Sequence, residues 1–275
     1  MFLSIDIGGT KTLIALFSFR GLLLKTTKFP TPKNPDLFLK TLANTLPSFL
    51  KTENKKLQLK AVTIAVPGTI KTEQKNCSIT CENLNWTNFD LLIPIKQLFS
   101  CQIFLANDAN LAALYEASHI HTKKKTIYLT FSTGIGGGIV EDGHLLPSSD
   151  SFEPGHKIYS FKDTNLEWED IASAKALSKT YHSPLSSLEL TPEIKSDIIS
   201  RLSLGISDII KSESPKILII GGPLGHIINK LKRPLLSSLR NVINPLPKII
   251  KAHRPEQSVI YGAYLYSKQH YKDNP

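Results

Sequence analysis

Apolar and polar positions alternate in a way that predicts two β-hairpins far apart in the chain. In the first, strand-forming residues fill Leu3 to Ile7 and Thr12 to Phe17 and flank the turn Gly8-Gly9-Thr10-Lys11. The second, Thr126 to Val140, repeats the order of strand, glycine-rich bend and strand. This repetition suggests a duplicated structural unit.

Further strands and helices follow from apolar runs and from helical spacing of apolar residues. Buried strands are predicted at Lys60 to Val66, Ile103 to Ala106 and Lys216 to Ile220. Helices are predicted at Asp36 to Lys51, Ala109 to Ser118, Thr191 to Glu213, around His226 to Leu231, and at about residues 256–275. Strands alternating with helices indicate an α/β protein.

The glycines of both hairpins are suited to binding phosphate. Adjacent Gly8 and Gly9 permit positive φ angles and leave the backbone N–H groups of the turn uncovered. Asp6 ends the preceding strand, where a carboxylate beside phosphates would hold a divalent cation directly or through water. The second bend carries Ser132-Thr133-Gly134 and Gly136-Gly137-Gly138. From the first stretch alone, an ordinary glycine turn explains the pattern equally well.

Asn107 and Asp108 follow the strand at Ile103 to Ala106 and precede a helix. Asn and Asp are favoured helix N-caps, so capping alone would explain both residues. Their position at the carboxyl end of a strand is also where open α/β sheets bind ligands. Both interpretations remain open at this point.

Composition narrows the class of protein. The chain has 275 residues, enough for one large domain or two ordinary ones, and 41% hydrophobic residues. Three cysteines are too few for a disulfide framework, and no apolar run is long enough to span a membrane. With no signal peptide at the N-terminus, a cytoplasmic location is expected.

The net charge of +10 raises the alternative of nucleic-acid binding. The basic clusters are predicted to lie in separate loops rather than in one stripe along the surface. They are Lys55-Lys56, Lys123 to Lys125, and Lys230 with Lys232 and Arg233. Solvated loops are therefore favoured over a nucleic-acid surface.

Five motifs occur in a fixed order along the chain. They are D-I-G-G-T-K at Asp6 to Lys11, N-D-A-N at Asn107 to Asn110, T-G-I-G-G-G at Thr133 to Gly138, E-P-G-H at Glu153 to His156 and W-E-D-I-A-S at Trp168 to Ser173. Together they resemble the ROK family of repressors and sugar kinases, and within it the bacterial glucokinases. The resemblance implies a two-domain, actin-like (ribonuclease-H-like) ATPase fold with a ligand cleft between the domains. The expected domains are 1–108, with the terminal helix 256–275 packed back on it, and 109–255.

The resemblance also implies roles for individual residues. Asp108 is the expected catalytic base, because a sugar hydroxyl needs a carboxylate to accept its proton as the γ-phosphoryl group transfers. The residues expected to bind sugar are Gly68, Asn83, Asn107, Asp108, Glu153, His156 and Glu169. The residues expected to bind ATP are Asp6, which would also hold Mg²⁺ through water, and Gly8, Gly9, Thr10, Lys11, Thr133, Gly134, Gly136, Gly137, Gly221 and Gly222.

One departure from the family concerns zinc. Many ROK kinases have a cysteine-rich zinc loop after the E-x-G-H motif, and the histidine of that motif is then a zinc ligand. This chain has Lys157 to Glu167 there, without a cysteine. No structural zinc is therefore expected, and His156 is left as a sugar contact or a structural residue. The segment from Glu153 to Glu169 is expected to be mobile without sugar.

The expected activity is transfer of the γ-phosphoryl group of MgATP to a hexose, most simply to the 6-hydroxyl of glucose. Fructose, mannose or an N-acetylated amino sugar are alternative acceptors, and polyphosphate is an alternative donor. A transcriptional repressor is disfavoured because no helix-turn-helix precedes the first motif, so no DNA partner is expected. A non-catalytic sugar sensor is the remaining alternative, and a homodimer stays open.

Overall fold

The computed structural model describes residues 1–51, 58–73 and 76–272. Lys55 and Lys56, predicted to form a basic loop, lie outside these residues, as does the end of the predicted terminal helix. The chain divides into two compact units, one of Met1–Leu111 with Val259–Pro275 and one of Ala112–Ser258. Among the described residues, no helix is both long enough and apolar enough to cross a membrane.

Strands and helices alternate in both units, so the predicted α/β class is confirmed. The strands are β1 (Phe2–Ile7), β2 (Lys11–Phe17), β3 (Leu23–Pro30), β4 (Ala61–Val66), β5 (Thr69–Glu73), β6 (Asn76–Cys81), β7 (Trp86–Asp90), β8 (Gln102–Asn107), β9 (Thr126–Phe131), β10 (Ile135–Glu141), β11 (His144–Leu145), β12 (Ile158–Phe161), β13 (Thr164–Glu167), β14 (Ile217–Gly221) and β15 (Lys248–Lys251). The α-helices are α1 (Pro35–Leu50), α2 (Leu92–Leu98), α3 (Asp108–His119), α4 (Trp168–Ala172), α5 (Ala174–Tyr181), α6 (Pro192–Glu213), α7 (Gly222–Arg240) and α8 (Ser258–His270).

The first unit is built on a five-stranded sheet in the order β3-β2-β1-β4-β8. β1 pairs antiparallel with β2 and parallel with β4, and β4 pairs parallel with β8. Apolar residues of β1 and α1, such as Ile5 and Phe38, are fully buried in its core. Because β1, β4 and β8 run parallel, their carboxyl ends meet at one edge of the sheet. That edge carries Asp6, Gly68 and Asn107.

The second unit contains a five-stranded sheet of the same design, in the order β11-β10-β9-β14-β15. β9 pairs antiparallel with β10 and parallel with β14, and β14 pairs parallel with β15. Its core joins the sheet to α4, α6 and α7 and includes Trp168, which is completely buried. The matching strand order of the two sheets agrees with the hypothesis of a duplicated unit. Ser132 to Gly134 and Gly221-Gly222 lie at the carboxyl edge of this sheet.

The prediction that Lys230, Lys232 and Arg233 lie in a loop is wrong. All three are in α7, which continues to Arg240 and past the predicted end at Leu231. The helix continues because Leu231, Leu235 and Leu239 keep the helical spacing of its buried face. Pro234 does not end the helix.

Candidate active site

The β1–β2 turn of the first unit leaves its backbone open at Gly9. Among the described residues other than its chain neighbours, a Cβ atom built at Gly9 would contact only the Asn83 Cβ, at the ordinary distance of 3.7 Å. Gly8 is different, because its Cβ would lie 2.8 Å from the Lys11 carbonyl, which accepts the Gly8 N–H. Thr10 and Lys11 are exposed at the tip of the turn.

The expectation of positive φ angles in this turn is wrong. Among the described glycines, positive φ occurs at Gly21, Gly68, Gly143 and Gly222, and not at Gly8 or Gly9. The turn needs a glycine at Gly8 because of close contact with the Lys11 carbonyl, rather than because of a left-handed backbone. Gly9 has neither requirement, so its lack of a side chain has no cause inside the first unit.

Asp6 and Asp108 interact at the carboxyl edge of the first sheet. The register of β1, β4 and β8 aligns Asp6 with Ala65 and Ala65 with Ala106, two residues before Asp108. The pKa of Asp6 is raised to about 7, first by burial and then by the nearby Asp108 carboxylate, while Lys11 acts in the opposite direction. Two carboxylates that repel each other in a half-buried place would be stabilised by a shared cation.

Asn107 caps helix α3. Its side-chain oxygen accepts from the N–H groups of Ala109 (2.9 Å) and Asn110 (3.2 Å), and its amide donates to the Gly68 carbonyl at 3.1 Å. The capping function predicted for the Asn107-Asp108 pair is thus carried by Asn107, although Asp108 also accepts from Ala109. Most of the hydrogen-bonding capacity of Asn107 is therefore used within the protein.

Gly68 and Asn83 lie close to this edge. Gly68 has φ +79°, and a Cβ there would be 2.4 Å from the Thr80 carbonyl, so the turn after β4 requires glycine. The carbonyl of Asn83 accepts a hydrogen bond from the Lys33 ammonium group. Trp86 is buried, and its indole N–H donates to the Lys33 carbonyl at 2.9 Å.

The bend of the second hairpin is shorter than predicted. It consists of Ser132 to Gly134, whereas Gly136, Gly137 and Gly138 lie within β10 and pair with residues of β9. A Cβ at Gly137 would lie 2.6 Å from the Phe152 ring and 2.9 Å from the Tyr128 carbonyl. Gly137 therefore allows close packing of the strand against its own neighbours. Thr133 is exposed in the bend.

Glu169, at the start of α4, packs against the backbone of this bend. Its carboxylate accepts from the Ile135 N–H at 3.2 Å. A Cβ at Gly134 would lie 2.4 Å from the Glu169 Oε2, and one at Gly155 would lie 2.7 Å from the same atom. Two glycines thus create the space in which this carboxylate is held.

Glu153 and His156 lie close to Glu169. The pKa of Glu153 is raised by burial, which outweighs the opposing effect of His156, and the Glu169 carboxylate raises it further. The His156 Nδ1 lies 3.0 Å from a Glu167 carboxylate oxygen, and this hydrogen bond is the main reason that the pKa of His156 is raised. The second unit therefore brings together the three residues expected there to contact a sugar.

Gly221 and Gly222 form the turn between β14 and α7. A Cβ at Gly221 would lie 2.3 Å from the Tyr128 hydroxyl oxygen, and one at Gly222, where φ is +66°, would lie 2.4 Å from the Phe131 carbonyl. Both glycines are thus required by packing inside the second unit. Their backbone remains at the carboxyl edge of the sheet, at the N-terminus of a helix of 19 residues.

The sequence model of the ROK family matches residues 2–270. The chain belongs to the ROK family. Its fold is the actin-like ATPase fold of the ROK kinases. A solved ROK glucokinase from Streptomyces griseus, in complex with glucose and AMPPNP, superposes with a TM-score of 0.78 at 20% identity, covering 98% of this chain and 99% of the other.

The curated relatives include both kinases and a regulator. A fructokinase of Lactococcus lactis is 23% identical over 258 residues, which cover 88% of this chain and 86% of the fructokinase. The xylose repressor of Bacillus subtilis is 28% identical over 186 residues, which cover 64% of this chain. The match spans 47% of the repressor, so the chain aligns with about half of that relative.

The place of the ROK zinc loop holds the β12–β13 hairpin, which lacks cysteine. Three contacts attach the hairpin to α6 without a metal. Asp208 binds the ammonium group of Lys157 at 2.5 Å and the hydroxyl of Tyr159 at 3.1 Å, and the Arg201 guanidinium lies 4.8 Å from the centre of the Phe161 ring. The expectation that the segment from Glu153 to Glu169 is mobile without sugar did not consider these noncovalent contacts.

A divalent ion has one candidate ligand group in this part of the chain. One ligand atom each of His156, Glu167 and Glu169 lie within 4.8 Å of one another. An imidazole and two carboxylates differ from the thiolate-rich set of a structural zinc site. His156 and Glu167 are also largely exposed, with 59% and 42% of their side-chain surface accessible.

The sequence did not identify two neighbours of the expected sugar-binding residues. Glu167 was given no role, yet its carboxylate hydrogen-bonds the His156 ring. Lys33 was not considered, yet it binds the Asn83 backbone. The pairing of β12 with β13 explains the position of Glu167. It places Glu167 opposite Ile158, two residues after His156, and so brings Glu167 beside His156.

Proposed function

We propose that this protein is an ATP-dependent sugar kinase, which transfers the γ-phosphoryl group of MgATP to a hexose hydroxyl. The observation that carries the proposal is the interaction of Asp6 with Asp108 beside the open β1–β2 turn. Phosphoryl transfer needs a base for the acceptor hydroxyl, a place for the phosphates and neutralisation of their charge. Asp108, the β1–β2 turn and Asp6, which are proposed to supply these three features, lie at one edge of the first sheet.

Asp108 is the proposed catalytic base. It accepts the proton of the sugar hydroxyl as the oxygen attacks the γ-phosphorus, and the phosphoryl group passes to the sugar while ADP leaves. Because Asn107 caps α3, Asp108 can act as the base without loss of the helix cap. Asn107, Gly68 and Asn83 would line the sugar on the side of the first unit.

Asp6 fits the expected place of Mg²⁺. Its pKa of about 7 arises from burial and from Asp108, and a divalent cation at this carboxylate would offset both effects. The bound ion would neutralise charge on the β- and γ-phosphates. The turn from Gly8 to Lys11 would contact phosphate oxygens through backbone N–H groups and the Lys11 ammonium group.

The second unit would contribute the remaining ligand contacts. Glu153, His156 and Glu169 are proposed to bind sugar hydroxyls. A carboxylate accepts hydrogen bonds from hydroxyl groups, and an imidazole can donate or accept them. Thr133, Gly134 and the backbone of Gly136 would contact phosphate, whereas the phosphate contact expected of Gly137 is disfavoured because Phe152 and Tyr128 cover that residue. Gly221 and Gly222 would approach the adenosine. Glucose is the proposed acceptor, with fructose, mannose and N-acetylated amino sugars as alternatives.

A panel of hexoses tests the proposal. Each sugar is supplied with MgATP, and ADP formation is followed by a coupled assay. Turnover with one sugar, far above the rate with ATP alone, is expected. Polyphosphate replaces ATP in a second series, which distinguishes the donors.

A sugar-binding regulator is the second candidate, because the xylose repressor is among the relatives. Binding of a sugar, measured by tryptophan fluorescence, without ADP formation from any sugar in the panel would favour the regulator. The same result would contradict the assignment of Asp108 as a base.

A further inference from the structure

A cavity of about 320 Å³ lies in the second unit and is lined by cations. Its lining consists of Ile120, His121, Thr122, Lys124, Lys216, Ile217, Lys248 and Ile250. Three lysines and a histidine converge there from three separate segments of the chain. The lining contains no carboxylate.

The cavity is at the opposite edge of the second sheet from the two glycine-containing bends of that sheet. Lys216 immediately precedes β14, Lys248 begins β15, and Lys124 lies two residues before β9. β14 and β15 start side by side, with Ile217 paired to Lys248. The bends at Ser132 to Gly134 and at Gly221-Gly222 follow the other ends of β9 and β14, about 15 Å away at 3.3 Å per residue. The cavity is therefore a separate site.

Two carboxylates close in sequence to the lining pair with other lysines. Glu213 pairs with Lys125 at 2.7 Å, and Asp142 pairs with Lys123 at 3.5 Å. In the described ranges 1–51, 58–73 and 76–272, none of the salt bridges involves Lys124, Lys216 or Lys248. Among the described residues, the three lysines of the lining thus have no salt-bridged carboxylate, and a bound anion would complement their positive charge.

The backbone fixes the segments that carry these lysines. The N–H of Lys216 donates to the Lys125 carbonyl at 2.9 Å, and the N–H of Lys248 donates to the Lys216 carbonyl at 3.0 Å. The N–H of Lys124 donates to the Thr122 hydroxyl at 3.1 Å. The cations therefore belong to ordered strand ends. The side chains of Ile120, Ile217 and Ile250 add apolar surface to the same cavity.

We propose that this cavity binds a small phosphorylated ligand with at least two negative charges. A phosphate dianion matches the ammonium groups, and the apolar lining accommodates a short organic part. The volume suits a small ligand rather than a polymer. The ligand binds away from the candidate active site, and its affinity falls as the salt concentration rises, because the lysines are exposed.

The test uses the complete chain with the δ1-methyl groups of isoleucine labelled with ¹³C. Inorganic pyrophosphate is the probe, and methyl chemical shifts are followed by NMR. Saturable shifts at Ile120, Ile217 and Ile250 are expected. Shifts confined to Ile135 and other isoleucines near the second hairpin would assign pyrophosphate to the candidate nucleotide site and overturn the proposal.

A double variant, Lys216→Gln with Lys248→Gln, tests the charges directly. We expect it to weaken pyrophosphate binding at least about tenfold, and to keep the melting temperature because both side chains are exposed. Lys230→Gln, at an exposed position of α7 outside the lining, is the matched control and should leave the affinity unchanged. Equal weakening in the control and the double variant, or none in either, would overturn the proposal.

A second titration distinguishes two sources of the phosphate group. Inorganic phosphate and a hexose monophosphate carry similar charge, but only the latter has an organic part. Tighter binding of the hexose monophosphate, with shifts at the same three isoleucines, would support an organic phosphate as the ligand. Equal affinity would support free phosphate at the same site, and binding of neither would contradict the proposal.

Discussion

The two glycine-rich hairpins look alike in the sequence but differ in the reason for their glycines. At the β1–β2 turn, a Cβ on Gly9 would meet one atom of the described residues beyond its chain neighbours, the Asn83 Cβ, at an ordinary contact distance of 3.7 Å. At the second hairpin, a Cβ on Gly134 or Gly137 would lie 2.4 to 2.6 Å from side chains of the same unit. The first hairpin leaves its backbone uncovered, whereas the second is filled by the protein itself.

A glycine in a sequence motif can thus be required for either of two separate physical reasons. A glycine that is required by packing would be needed even in a protein without a ligand, since a methyl group there displaces neighbouring atoms. A glycine that is not required by its own fold points to something outside the chain. By this criterion, Gly9 is the glycine that most strongly indicates a ligand, while Gly134 serves the placement of Glu169.

The largest expected effect concerns chemistry beside the open turn. We expect Asp108→Asn to lower kcat by about 10²- to 10⁴-fold, because the variant lacks the base. The fold should be kept, since Asn107 carries the cap of α3. In the second unit, Glu169→Gln should mainly raise KM for the sugar. Equal losses of kcat in the two folded variants would remove the proposed distinction between the units.

The next effect concerns the buried carboxylate of the first unit. The pKa of Asp6 is raised to about 7 in the folded protein, so burial favours the protonated form. Its stabilising contribution is complete below the unfolded pKa of about 4 and is lost as the pH rises through 7. Asp6→Asn should therefore increase the free energy of unfolding at pH 8 by about 1 to 4 kcal/mol, and should change it little at pH 4.

This effect is measured by denaturant unfolding with a chelator present, so that no divalent cation binds Asp6. Asp36→Asn provides a control, as Asp36 lies in the first turn of α1 of the same unit. If Asp6→Asn gives the same stability change at pH 4 and pH 8, burial does not control this carboxyl group.

A smaller effect is expected in the second hairpin. Gly137→Ala places a methyl group 2.6 Å from the Phe152 ring and 2.9 Å from the Tyr128 carbonyl. Overpacking of this kind costs about 1 to 3 kcal/mol of stability, so thermal unfolding should occur at a lower temperature with or without ATP. A variant with unchanged melting temperature and weakened ATP binding would show that this hairpin resembles the first.

The strands and helices that the sequence predicted correctly, such as β1, β4 and α6, depend on local apolar spacing. It could not separate the two kinds of glycine, because Phe152 and Glu169 reach Gly137 and Gly134 from distant positions in the chain. For the same reason it missed the bond of Glu167 to His156 and the attachment of the β12–β13 hairpin to Asp208. The basic residues of α7 were misassigned because the helix continues through Pro234, which ordinarily favours a break.

The smallest expected effect concerns the hairpin at the place of the zinc loop. Removal of the Asp208 carboxylate in Asp208→Asn weakens its contacts with Lys157 and Tyr159, which we expect to raise KM for the sugar a few-fold at nearly constant kcat. Exposed ion pairs of this kind contribute about 0 to 1 kcal/mol.

The purified protein should contain no stoichiometric zinc, measured by elemental analysis. One zinc per chain whose removal abolishes sugar binding would instead assign His156 as a metal ligand.

The most direct test of the account is the affinity of Gly9→Ala for a nonhydrolysable ATP analogue with Mg²⁺, measured by calorimetry beside the melting temperature of the same variant. The account predicts binding at least about tenfold weaker, or 1.4 kcal/mol, because the methyl group would cover the backbone that contacts phosphate. It also predicts a melting temperature within about 2 °C of the original, because the protein has space for the methyl group. Unchanged nucleotide affinity in the folded variant would contradict the claim that the open turn of the first unit binds phosphate.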